Sequence, residues 1–147
     1  MYGHGTDEDV AALKQEIEKL GLTNRVSLTS APADEMHQIY SKYDALLFTS
    51  NWGEPFALTP LEAMASGLPV ITSLDGGQRE LADDAINSLV AEAGNPDSYA
   101  RQIERMASDA SLRERISIKG LEQAKSEFDL EVITDQIEDY LKQSLHP

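Results

Sequence analysis

The chain of 147 residues contains no cysteine, which removes disulfide scaffolds, thiolate metal sites and thiol nucleophiles together. Histidine is nearly as scarce, and His4, His37 and His146 leave little from which to build a histidine metal site. Positive charge is also short: 12 Lys and Arg stand against 26 Asp and Glu, a net charge of −14, with −6 over residues 1–72 and −8 over residues 73–147. Acid spread along the whole chain repels nucleic acid and anionic membrane surfaces. Any phosphate that binds must therefore be held by local dipoles or by a neighbouring chain. Long apolar runs are missing as well: none approaches the roughly 18–20 residues needed to cross a bilayer, so no transmembrane segment is expected. The N-terminus lacks the basic region and apolar core of a signal peptide, and the expectation is a cytoplasmic protein. What is present, 41% hydrophobic residues, suffices for a real core, and the length suits one domain of about 100–150 residues.

Hydrophobic spacing divides the chain into alternating elements. Thr6 is placed to cap a helix whose Val10, Leu13, Ile17 and Leu20 share a face, with Gly21 as its stop. Arg25 to Thr29 reads as a short strand and Asp34 to Tyr43 as a helix. Ala45 to Thr49 is an apolar run suited to a strand covered on both sides. After the loop Ser50 to Leu58, Thr59 before Pro60, with Glu62 at the third helical position, predicts a capping box. Gly67 ends that helix, Leu68 to Thr72 gives a further strand, a short helical stretch surrounds Arg79 to Leu81, and Asn87 to Ala91 is a fourth strand. From Asp97 onward the pattern is helical only, with apolar faces at Tyr99, Ile103 and Met106, then Leu112, Ile116, Leu121, Ala124 and Phe128, then Leu130, Ile133, Ile137 and Tyr140. Strands alternating with helices imply parallel βαβ units, an α/β fold with a helical C-terminal extension.

In such folds ligands bind beyond the carboxyl ends of the strands, where Ser50 to Leu58 lies. Pro55 and Pro60 keep Glu54 in the loop, so Glu54 and Glu62 can approach one ligand from different elements. The following helix start offers backbone N–H groups and a partial positive charge to a phosphate. Carboxylates are poor phosphate partners but good acceptors from sugar hydroxyls. A ligand carrying both groups, such as a nucleotide sugar, would use both features.

The segment from Glu54 to Gly67, with its glutamates at positions 54 and 62 and the run Glu-Ala-Met-Ala-Ser-Gly, resembles the Glu-x7-Glu signature of the retaining family 4 glycosyltransferases, two-domain enzymes of the GT-B fold. The likeness continues through Asn24-Arg25-Val26, Tyr43-Asp44-Ala45, Gly76-Gly77, Glu80 and Gly94-Asn95-Pro96, and covers nearly all of the chain from Gly3. It implies a Rossmann-like parallel sheet flanked by helices, with residues 1–147 forming one truncated C-terminal domain that binds a nucleoside diphosphate sugar and passes the sugar to an unknown acceptor. By position, Glu54 would take the catalytic role at the transferred sugar's hydroxyls and Glu62 would hold the ribose. The amides of Phe56, Ala57 and Leu58, with the cap at Thr59, would face the sugar and diphosphate, and Thr29 to Pro32 would lie near the base. No cofactor or metal is implied.

The pattern departs from the family in two respects. Ala57 stands where family members usually have glycine. The chain also begins after the βαβ unit that carries the family's Gly-Arg and Lys-Gly motifs, and lacks the N-terminal acceptor domain. The isolated chain is accordingly expected to be inactive, with an open sheet edge that favours self-association or pairing with the missing domain. A non-catalytic nucleotide-binding or protein-interaction module is the alternative. Local readings stand beside the functional ones: Glu62 as a capping carboxylate, Glu54 as a solvated side chain, Trp52 as a cover for the core edge, Arg79 as either a phosphate ligand or an ion-pair partner of Glu80 or Asp83, His37 as solvated, and His4 as a base within Gly3-His4-Gly5.

Overall fold

The computed structural model describes residues 1, 3 and 5–145; Tyr2, His4, His146 and Pro147, and with them the reading of His4 as a base, lie outside the described residues. The chain divides into two compact units, residues 1–36 and 37–147.

In the first unit, α1 (Asp7–Lys19) starts as its sequence predicts. The Thr6 hydroxyl accepts from the Asp9 N–H at 3.1 Å, and the Thr6 N–H donates to the Asp9 carboxylate at 3.0 Å, a reciprocal capping box that satisfies two otherwise free donors. Hydrogen bonds from Thr6 hold the Asp9 carboxyl below its usual range. Ile17 is the buried residue of the helix, and Gly21 follows at φ +69°. The strand expected over residues 25–29 does not form. Thr29 instead exchanges backbone hydrogen bonds with Met1 and Gly3 (3.0 and 3.2 Å), a single bridge's worth of pairing.

The second unit holds a three-stranded parallel sheet of order β1-β2-β3, formed by β1 (Leu46–Leu47), β2 (Val70–Thr72) and β3 (Leu89–Val90). Leu46 is in register with Val70, Leu47 with Ile71, Ile71 with Leu89 and Thr72 with Val90. Helix α2 (Met36–Tyr40) precedes β1, α3 (Leu58–Ala65) makes the crossover from β1 to β2, and a 3₁₀ turn at Gly77–Glu80 lies between β2 and β3. Three helices follow: α4 (Pro96–Ser108), α5 (Ala110–Glu127) and α6 (Leu130–Leu145). The expected α/β class, a Rossmann-like parallel sheet flanked by helices with a helical C-terminal extension, is the observed one.

The central strand is apolar because it is covered on both faces: Val70, Ile71 and Thr72 are all buried. Ile71, Leu89 and Ala91 of the sheet region pack with Tyr99 and Met106 of α4 and Leu112 and Ile116 of α5. The caps of α4 and α5 are legible in the sequence. Asn95 accepts from the Ser98 N–H with Pro96 behind it, and Asp109 accepts from the Leu112 N–H. β1, in contrast, is not covered on both sides. It is an edge strand with Leu47 44% exposed, beside an open groove of about 500 Å³ lined by Asp44–Leu47, Ile71 and the α4 residues Ile103, Met106 and Ala107, with Arg113. α6 likewise keeps its helical periodicity but buries none of its apolar residues. Among the described residues no helix is long and apolar enough to cross a membrane.

Gln78 is fully buried, yet neither its amide nitrogen nor its oxygen has a hydrogen-bond partner among the described residues. A buried unpaired amide is destabilising, and an apolar side chain of similar volume removes that penalty. Gln78→Met is therefore expected to raise the unfolding free energy by about 1–3 kcal/mol, read as a higher urea midpoint at unchanged slope. A lower midpoint would show that the amide is engaged.

Candidate functional site

The loop between β1 and α3 is fixed at three levels. Its start is tied to the sheet, since the buried Ser73, just past β2, donates its hydroxyl to the Ser50 carbonyl at 3.1 Å. Its middle turns at Gly53, φ +71°. Its end is locked onto the next loop: Glu54 and Gly76 form a parallel bridge, and the Gly77 N–H donates to the Glu54 carbonyl at 2.7 Å. Gly76 sits at φ +114°, and a Cβ built there would lie 2.5 Å from the Glu54 oxygen. At Gly77 it would lie 2.3 Å from the Pro55 oxygen. Two backbones approach this closely only where the side chain is hydrogen.

This lock changes where the helix begins. α3 starts at Leu58 with Ala57 as its N-cap, and no side chain caps it. Thr59 and Glu62 are thus the second and fifth helical residues, so the expected capping box is absent. The pinned loop delivers the chain into the helix two residues earlier than Thr59-Pro60 suggests. Pro60, now third, is still tolerated, because its missing N–H belongs to the first turn, where no intrahelical acceptor exists. The N–H groups of Leu58 and Thr59 remain without hydrogen-bond partners among the described residues. Ala57 is buried, Leu58 is exposed, and the half-buried Phe56 ring packs against Phe128 at a centroid distance of 5.8 Å.

Both glutamates carry protein donors on one oxygen. The Glu54 Oε1 accepts from the Ser50 hydroxyl at 2.8 Å and from the Trp52 indole N–H at 2.9 Å. The Glu62 Oε2 accepts from the Tyr40 hydroxyl of α2 at 3.0 Å. Burial, and then the hydrogen bond to Glu62 and its charge, push the Tyr40 phenol well above the ordinary tyrosine range, so it stays a proton donor. The other oxygen of each carboxylate has no partner among the described residues. Glu62 therefore serves neither as a cap nor as a merely solvated group, and Glu54 is held rather than free.

The surrounding residues sort out plainly. Trp52 is 69% exposed and does not cover the core edge. Arg79 makes neither of the expected ion pairs; its guanidinium Nε donates to the Leu74 carbonyl at 2.6 Å. His37 is exposed on α2, as its polar neighbours suggest. Thr29 to Pro32 lie in the first unit, with Thr29 engaged by backbone hydrogen bonds. Sequence reasoning missed Tyr40, which reads as a core residue of its helix and lies 22 positions from its partner. Ser50 and Trp52 are local to Glu54, and their spacing of four and two residues was the available signal.

The family model described as "Glycosyl transferases group 1" matches residues 2–123. Spore coat protein SA of Bacillus subtilis is 32% identical over 104 residues, covering 70% of this chain and 28% of that protein. The lipopolysaccharide core biosynthesis glycosyltransferase LpsE of Rhizobium meliloti is 30% identical over 135 residues, 92% of this chain and 38% of that one. Among solved structures, Anabaena Alr3699/HepE in complex with UDP superposes with a TM-score of 0.86 at 31% identity, over 91% of this chain and 36% of HepE. HepE is also known in complex with UDP-glucose. The chain thus spans well under half the length of these relatives.

Proposed function

The chain belongs to the group 1 glycosyl transferases, and we propose that it is the donor-binding lobe of a retaining, family 4 enzyme of the GT-B type. Residues 1–147 form the nucleotide-sugar half, and the acceptor side is supplied from outside them. The observation that carries this reading is the pairing of an uncapped helix start with two half-occupied carboxylates. The free N–H groups of Leu58 and Thr59, together with the amides of Phe56 and Ala57, face the sugar and diphosphate, where the helix dipole favours negative charge. The open oxygen of Glu54 accepts from hydroxyls of the transferred sugar, and that of Glu62 accepts from the ribose.

Catalysis then consists of positioning and of stabilising the departing diphosphate, with attack on the face the leaving group vacates and net retention of configuration. A chain of charge −14 contributes few cations to that leaving group, so the 147 residues alone neither transfer nor hydrolyse the donor. The open β1 edge favours association with a second copy. HepE's complexes with UDP and UDP-glucose make uridine nucleotides the first ligands to try.

Calorimetric titration of the chain with UDP, GDP and ADP tests the proposal. One nucleotide is expected to bind, and Glu62→Ala is expected to weaken it by about tenfold, the scale of a lost hydrogen bond to a charged group. A well-folded chain that binds none of the three would favour the non-catalytic interaction module instead.

A further inference from the structure

The loop leaving β1 spends two side chains on one oxygen. Ser50 Oγ and Trp52 Nε1 both donate to Glu54 Oε1, at 2.8 and 2.9 Å. Neither donor is needed there for the core. Trp52 is 69% exposed, and an indole N–H that exposed could be satisfied by water without a carboxylate. The anchors are nonetheless rigid. The Ser50 carbonyl is held by the buried Ser73, and the Glu54 backbone is held by the Gly77 N–H. A carboxylate gripped by two fixed donors on Oε1 cannot rotate freely about its last bond. Its remaining oxygen, Oε2, has no partner among the described residues and points where the clamp leaves it.

We propose that Ser50 and Trp52 are positioning residues for Glu54: together they orient its carboxylate so that Oε2 alone is offered to a hydroxyl of the bound sugar. This rests on the donor-lobe reading above. The clamp serves the hexosyl part of the ligand and leaves the nucleotide part to the α3 start and Glu62. Pre-orientation of this kind saves the cost of ordering a glutamate side chain on binding. Its removal should therefore weaken a nucleotide sugar selectively, not the nucleotide.

Two readouts on the 147-residue chain test this. The first needs no ligand. Trp52 is the single tryptophan, so one indole N–H signal appears in a ¹H–¹⁵N spectrum. That signal is expected to shift in Glu54→Ala, and an unmoved signal overturns the clamp. The second compares UDP-glucose with UDP. Ser50→Ala and Trp52→Phe are each expected to weaken UDP-glucose by about threefold to tenfold, the range for one net hydrogen bond, with UDP unchanged and with affinity restored in Ser50→Thr. Equal weakening of both ligands would mean that the two residues only shape the loop, and overturns the proposal. Unchanged affinity for both overturns it as well. If the wild-type chain binds GDP or ADP in place of UDP, the same comparison is made between that nucleotide and its sugar conjugate. If it binds none of the three while the indole signal does shift, the donor-lobe reading is what has failed, and the proposal falls with it for want of a sugar to position. Because Trp52 is exposed, its replacement removes no core packing, and an unchanged thermal melt checks that each variant is folded.

Discussion

Gly77→Ala is expected to abolish nucleotide binding and to cost about 1–3 kcal/mol of stability, the range for forcing extra atoms into a packed site. The Cβ would meet the Pro55 oxygen at 2.3 Å, the Phe56 Cα at 2.7 Å and the Pro55 carbonyl carbon at 2.8 Å. All three are backbone atoms, so no side-chain rotation relieves the clash. The loop has to move, and the movement breaks the 2.7 Å hydrogen bond from the Gly77 N–H to the Glu54 carbonyl. Glu54 loses its placement, and so does the entry of the chain into α3. Gly53→Ala is the matched control. Nothing lies within 4 Å of a Cβ there, and only the left-handed backbone, φ +71°, opposes it. That strain amounts to about 1–2 kcal/mol, and the Glu54–Gly76 bridge stays intact. A urea melt and a nucleotide titration on the two variants separate the effects. A Gly77→Ala chain with wild-type affinity would show that the loop-to-loop lock does not build the site.

The lock also explains which parts of the molecule are legible in the sequence. Capped helices are local statements: Thr6 with Asp9, Asn95 with Ser98, and Asp109 with Leu112 each complete their hydrogen bonds within three residues. Thr59-Pro60 with Glu62 has the same local form and yet caps nothing, because contacts with Gly76 and Gly77, about twenty positions on, decide where the helix starts. Strand burial is non-local in the same way. The composition of Ala45 to Thr49 matches that of a strand covered on both faces, but coverage depends on what lies beside it, and Leu47 faces an open groove. The apolar stripe of α6 was readable as a stripe, while its exposure was not. Of the site itself, the two glutamates and the loop between them were visible in the residue types and spacing. Tyr40, which fixes one oxygen of Glu62 from another helix, could not be, since nothing in its own neighbourhood points to a carboxylate.

The C-terminal extension bears no proposed site residue, yet it sets the position of the helix that does. α3 lies on α5, where Gly120 faces Met64: a Cβ at Gly120 would lie 3.1 Å from Met64 Cγ and 3.4 Å from both Met64 Cβ and the Asn87 carbonyl oxygen. One turn earlier, Ser117 donates its hydroxyl to the Gly67 carbonyl at 2.6 Å, at the end of the same helix. Glycine inside a helix costs about 1 kcal/mol relative to alanine, a cost the close approach offsets. Gly120→Ala recovers that propensity and asks a flexible methionine to shift by a few tenths of an ångström, so the net change is expected to stay within about 1 kcal/mol. Gly120→Leu has no such escape. Met64 is 1% exposed and Ala63 fully buried, so the added side chain has to pry α3 away from α5, at about 3 kcal/mol or more. Since α3 carries the free Leu58 and Thr59 amides and Glu62, its displacement should also weaken nucleotide binding, whereas the alanine variant binds as wild type does. Denaturant melts and titrations of both variants decide the matter. A leucine chain that loses stability but keeps its affinity would place the determinants of the site wholly within the loop from Ser50 to Ala57, and not in the packing of α3 on α5.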